Sequence, residues 1–85
     1  MKVIKRDGRF EDYDLLKIKR TICNASDDIK QPLTEGDLKT MCDLIDDKIC
    51  ENYSETVPSN KIRDIIEKTL RSNGFSEVAA SYINA

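Results

Sequence analysis

Lys5, Arg6, Arg9 and Lys17 are the side chains of this sequence best placed for chemistry, and that chemistry is the holding of an anion. They fall in VIKRDGRFEDYDLLKIKR, Val3 to Arg20. Residues 1–20 carry seven cations (Lys2, Lys5, Arg6, Arg9, Lys17, Lys19, Arg20) against four acids (Asp7, Glu11, Asp12, Asp14). The rest of the chain carries seven cations against twelve acids, and the whole has a net charge of −2. A basic patch on an acidic domain suits a small anion. It does not suit DNA or RNA, whose neutralisation asks for a broad basic face. Glu11 and Asp14 stand among the cations and can accept hydrogen bonds from a ribose or an amino-bearing base.

Other chemistries are excluded or weak. The chain has no histidine, so serine- or cysteine-histidine catalysis is not available within it. Its three cysteines, Cys23, Cys42 and Cys50, are widely spaced and cannot alone make a tetrahedral zinc site. They read as buried packing thiols in a reducing compartment. No Walker or Gly-x-Gly-x-x-Gly motif is present. Glu11, Asp12 and Asp14 could help hold Mg²⁺, which takes few carboxylates plus phosphate oxygens, although Asp12 is expected to face water. No apolar run is long enough for a membrane span or a signal-peptide core, so a cytoplasmic protein is expected.

These side chains need elements to position them. Lys2 to Tyr13 reads as a β-hairpin, with strands Lys2–Arg6 and Arg9–Tyr13 and a type I′ turn at Asp7-Gly8. Asp14 is an N-cap candidate for a helix from Leu15 to about Ala25, with Leu15, Ile18, Ile22 and Ala25 on its apolar face. Asn24 to Leu33 reads as a polar loop. Thr34 with Asp37 opens a second helix, Glu35 to Asn52, with Leu38, Met41, Cys42, Ile45 and Ile49 as the buried stripe. Thr56-Val57 can form a third strand beside the hairpin, ended at an edge by Pro58. Ser59 or Asn60 caps a third helix, about 60–72, facing inward through Ile62, Ile65, Ile66 and Leu70. Gly74 stops it. Ser76 caps a last helix to about Ile83, with Val78, Ala79 and Tyr82 inward. The sum is one α+β domain over residues 1–85, of order ββααβαα: four short helices in a bundle capped by a small three-stranded sheet.

Alternation along the first strand sends Val3 and Lys5 to one face and Ile4 and Arg6 to the other. Lys17 sits near the first turn of the first helix, where free N–H groups and the helix dipole favour anions. Together these features describe a triphosphate site. The plain alternative is a solvated hairpin whose surface charges are screened.

Two stretches resemble a known family. Val3-Ile4-Lys5-Arg6-Asp7-Gly8-Arg9, with Tyr13-Asp14 and Lys17-Ile18, is similar to the opening of an ATP-cone domain. Val57-Pro58-Ser59-Asn60-Lys61-Ile62-Arg63-Asp64-Ile65-Ile66-Glu67 resembles the second signature of that family, and Leu70, Gly74, Ala79-Ala80 and Tyr82-Ile83 match its end. The resemblance covers essentially the whole chain. It implies that ATP or dATP, with Mg²⁺, binds between sheet and helices. By the resemblance Val3, Ile4 and Lys5 belong to the nucleotide-lining strand. Arg6 and Lys17 serve the phosphates, Arg9 is a further nucleotide-binding residue, Glu11 and Asp14 are polar contacts, and Ser59 lies near the base. Asp14 departs from the pattern, because many cones carry asparagine there.

ATP-cones are N-terminal activity switches of many ribonucleotide reductases: ATP permits turnover and dATP stops it, usually through subunit assembly. The resemblance thus implies a regulatory domain without catalytic residues, partnered by a reductase catalytic domain or subunits. The first residues are similar to anaerobic, glycyl-radical reductases. A cone also follows a zinc ribbon in a bacterial repressor of reductase genes; this sequence shows no such ribbon, which favours the reductase reading. The chain ends at Ala85, where reductases usually continue with basic residues, so an excised domain is expected. A rival reading is a protein-interaction module with a degenerate nucleotide site.

Overall fold

The computed structural model describes Met1 to Asn84. The elements are β1 (Lys2–Ile4), β2 (Phe10–Asp12), α1 (Leu15–Asp28), α2 (Glu35–Asn52), β3 (Thr56–Pro58), α3 (Ser59–Ser72) and α4 (Ser76–Asn84). This is the expected α+β order, four helices with a three-stranded mixed sheet. Strand order is β2-β1-β3, with β1 antiparallel to β2 and parallel to β3. The apolar faces expected of the helices meet in one core. Ile22, Ile45, Ile49, Ile66, Leu70, Val57 and Val78 are its largest fully buried side chains. Val3 and Val57, partners across the parallel pair, attach the sheet to that core. No helix among the described residues is long and apolar enough to cross a membrane.

The hairpin turn differs from the expected type I′. That turn needs positive φ at both central residues. Here only Gly8 has it, at 87°, and Asp7 does not. Gly8 N–H donates to the Lys5 carbonyl at 3.0 Å, and Lys5 N–H donates to the Arg9 carbonyl at 2.8 Å. The loop is therefore three residues, Arg6-Asp7-Gly8, a type I turn closed by a glycine in the left-handed region. The Asp7 carboxylate accepts from the Arg9 N–H at 3.1 Å and from its Nε at 2.6 Å, which stabilises the turn from the side.

Helix α1 runs three residues past its expected end, through Ser26-Asp27-Asp28. Two backbone bonds close it: Lys30 N–H to Asp27 and Gln31 N–H to Ser26, both 3.0 Å. This is a Schellman motif with Lys30, φ 55°, in the place usually taken by glycine. Ser26 is buried in the helix and donates back to the Cys23 carbonyl, so its hydroxyl is satisfied. Helix α3 ends in the same way but with Gly74 at the left-handed position, as expected. The cysteines divide: Cys42 is buried, Cys23 half-buried and Cys50 exposed, so Cys50 is not the packing thiol expected. Cys50 follows the buried Ile49 by one residue, and the rotation of about 100° per residue carries it off the buried stripe to the side of Asp46.

Candidate functional site

Register decides which side chains meet under the sheet. Val3 pairs with Glu11 on β2, so both project to the face covered by the helices, and Lys5, two residues on, follows Val3. Helix α1 then starts beneath that face. Asp14 caps it, accepting from the Leu16 N–H at 2.9 Å with extended backbone geometry. Lys17, in the first turn, reaches back to the sheet: its Nζ donates to Glu11 Oε1 at 2.9 Å. Lys5 Nζ lies 3.4 Å from the same oxygen. Two lysines from two elements thus converge on one carboxylate.

Six of the nine side chains singled out from the sequence, Val3, Lys5, Glu11, Asp14, Lys17 and Ser59, line one cleft of about 160 Å³. Its floor and walls are Ile18, Thr21, Ile62, Ile66 and Tyr82 from α1, α3 and α4. Arg6 and Arg9 stand outside it. They border an adjoining groove of about 450 Å³ together with Asp7, Asn60 and Arg63, and Lys5, Ser59 and Tyr82 border both spaces. Ile4 stands elsewhere: it pairs with Phe10 and Pro58 on the opposite face of the sheet, where Phe10 is 63% exposed.

The helix start offering free N–H groups is not the one expected. At α1 the Asp14 carboxylate already occupies Leu16 N–H. At α3 the residue before the helix is Pro58, which has no side-chain acceptor, so neither Ser59 nor Asn60 serves as the cap. The first turn of α3 therefore lacks a side-chain cap for its N–H groups, and Ser59 and Asn60 at that start border the groove. Four cations, Lys5, Arg6, Arg9 and Arg63, surround that groove. Arg63 also donates to the Ile83 carbonyl near the end of α4, so it is held across the groove wall.

The electrostatics follow from these contacts. The Lys17 hydrogen bond holds the Glu11 carboxyl below its ordinary value; partial burial opposes this, and the charges of Lys17 and Lys5 add to it. Lys2, bonded to Asp12, does the same for that carboxyl on the outer face. The Tyr13 phenol is pushed far up, first by burial and then by its 2.7 Å bond to Asp46. Among the described residues no group of three acidic or sulfur side chains is placed to hold a metal ion. Glu11 is engaged by lysines, Asp12 by Lys2 and Asp14 by a backbone N–H.

Thr21, Tyr82 and Arg63 are among the cleft and groove residues that sequence reasoning did not assign to the site. Helical spacing held a signal for two of them. Thr21 is four residues after Lys17, and Arg63 is four after Ser59, so each shares a face with an assigned residue. Tyr82 read only as a core residue, and nothing local distinguishes it.

A search of curated proteins finds no match. A family model described as the ATP cone domain matches residues 1–85, the whole chain. The chain therefore belongs to the ATP-cone family, whose members are nucleotide-binding regulatory domains.

Proposed function

We propose that the cleft and the adjoining groove together bind one nucleoside triphosphate, ATP or dATP, as the activity switch of a ribonucleotide reductase of which this domain is a part. The observation that carries the reading is the convergence of Lys5 and Lys17 at the mouth of an apolar cleft that opens onto the Arg6, Arg9 and Arg63 groove. The inner cleft, at about 160 Å³, is smaller than the roughly 300–1,000 Å³ of sites that enclose a whole small molecule. It holds a ring-sized portion of the ligand between Val3, Ile18, Ile62 and Tyr82. The charged portion then leaves past Lys5 and Ser59 toward the first turn of α3. Donors present along that exit fit a polyphosphate: two lysines, three arginines and backbone N–H groups. Mg²⁺ enters with the phosphates, whose oxygens supply its ligands, and needs no carboxylate cluster from the chain.

ATP and dATP differ by one hydroxyl. Ser59, Thr21, Glu11 and Asp14 are the groups in the cleft able to bond a ribose. A nucleotide controls the reductase only through unequal affinity for two states of the larger assembly, because equal binding moves no equilibrium. The reductase reading rests on the first residues, Met1 to Arg9, which are similar to those of anaerobic reductases. Calorimetric titration with ATP and dATP, each with and without Mg²⁺, is the test. Saturable binding of both nucleotides is the expected result, and a folded protein that binds neither would overturn it.

A further inference from the structure

Glu11 has a role that lysines and an apolar cleft alone do not require. We propose that Glu11 is a built-in competitor that closes Lys5 and Lys17 to simple anions and yields them only to a ligand that also supplies a hydrogen-bond donor. The inference rests on the nucleotide reading of the same cleft. Both lysine ammonium groups address a single oxygen, Oε1, at 2.9 Å from Lys17 and 3.4 Å from Lys5. Oε2 has no hydrogen-bond partner among the described residues, and the side chain borders the cleft. Glu11 cannot turn to the other face of the sheet, because its pairing with Val3 sets its direction. Its carboxyl is held below the ordinary range by the lysines, so it is ionised at neutral pH.

A free polyphosphate meeting this arrangement must take both lysines from Glu11. It then leaves an ionised carboxylate beside its own negative oxygens, at a separation where like charges repel strongly. It offers no N–H to that carboxylate. A ligand carrying an amino or ring N–H group can bond Oε2 while its phosphates pass to Lys5, Lys17 and the groove. The carboxylate then keeps a donor, and the charges stay apart. Selectivity here comes from a repulsive element set against the wrong ligand, as well as from contacts to the right one. A cleft with the two lysines alone would hold any polyphosphate of similar charge, and such anions would compete with the nucleotide.

The probe is inorganic tripolyphosphate, measured beside ATP by calorimetry on the wild-type chain, on Glu11→Gln and on Glu11→Gln/Lys17→Ala. On the wild type, tripolyphosphate is expected to bind at least tenfold more weakly than ATP. Glu11→Gln is expected to tighten tripolyphosphate at least tenfold while weakening ATP, and Lys17→Ala in that background should remove the gain. Circular dichroism reports whether each variant is folded. Equal binding of tripolyphosphate and ATP to the wild type overturns the inference without any variant. So does a folded Glu11→Gln protein whose preference between the two anions is unaltered. The nucleotide reading fails separately, by absence of ATP binding to the wild type, and a gain of tripolyphosphate affinity in Glu11→Gln would still establish the competition.

Discussion

The interior shared by α2, α3 and α4 and the cleft under the sheet have α3 and α4 in common but hold their residues by opposite means. In the interior, Ile45, Ile49, Leu70 and Ala79 have no exposed surface, and their energy comes from apolar area taken out of water. No buried side-chain nitrogen or oxygen among the described residues lacks a partner. In the cleft, charged groups stay partly in water: the Lys5 and Glu11 side chains are both 35% exposed and Lys17 is 58% exposed. Ion pairs of that exposure contribute little to stability, because solvent screens them and ordering long side chains costs entropy. The interior therefore carries the fold, and the cleft carries charges that a ligand can redirect at small cost to the fold.

Substitutions can break this division or sharpen it. The largest effect belongs to the interior. Leu70→Ala should lower unfolding free energy by about 2–5 kcal/mol, since the side chain is wholly buried and leaves a cavity. Set against a typical total of about 5–15 kcal/mol, that is a severe loss, read as a shift of the urea midpoint. Lys5→Ala and Lys17→Ala should act the other way round. Each should weaken ATP binding by roughly 1–3 kcal/mol, the size of a charge-assisted hydrogen bond. Each should change stability by no more than about 0.5 kcal/mol. Unchanged ATP affinity in both variants would mean that the cleft is not the binding site.

Asp14 lies on the boundary between the two regions, since it borders the cleft yet caps α1. Asp14→Ala should cost about 0.5–2 kcal/mol of stability. Asp14→Asn, which keeps the cap oxygen, should cost much less and should not weaken ATP. An equal stability loss in both would show that capping is not its role. The smallest effect is on acid stability. The Glu11 and Asp12 carboxyls sit below their ordinary values of 4.5 and 3.8 in the folded protein. Between the folded and ordinary values the unfolded chain binds more protons. Their contribution is thus present above those ordinary values and is lost as pH falls through the lower, folded ones. Urea unfolding followed from pH 6 to pH 2 should show a shallower decline for Glu11→Gln than for the wild type.

The parts of the fold that were legible share a reason. The stripe Leu38, Met41, Cys42, Ile45, Ile49 repeats at helical spacing, and every member is buried. Thr34 and Gly74 carry local chemistry that marks a helix start and a helix stop, and both act as expected. The misread places lack such a mark. Lys30 holds a left-handed position that glycine usually takes, so the end of α1 had no signal. Asp7-Gly8 suits two turn types equally well in composition, and the type I turn with Gly8 alone at positive φ formed. Pro58 stands directly before Ser59, and the strand running into α3 leaves no residue between them to act as a side-chain cap.

The residues by themselves determined which elements form and which of their faces turn inward, because hydrophobic spacing and capping act over a few residues. They also determined that cations gather in the first twenty positions. Only the tertiary structure decided how those cations divide. The pairing of Val3 with Glu11 placed the carboxylate between Lys5 and Lys17, and the three-residue turn left Arg6 and Arg9 in the neighbouring groove. It also set the uncapped start of α3 at the border of that groove, while Asp14 capped the start of α1. Register and packing between distant segments set those distances, and no property of a single segment contains them.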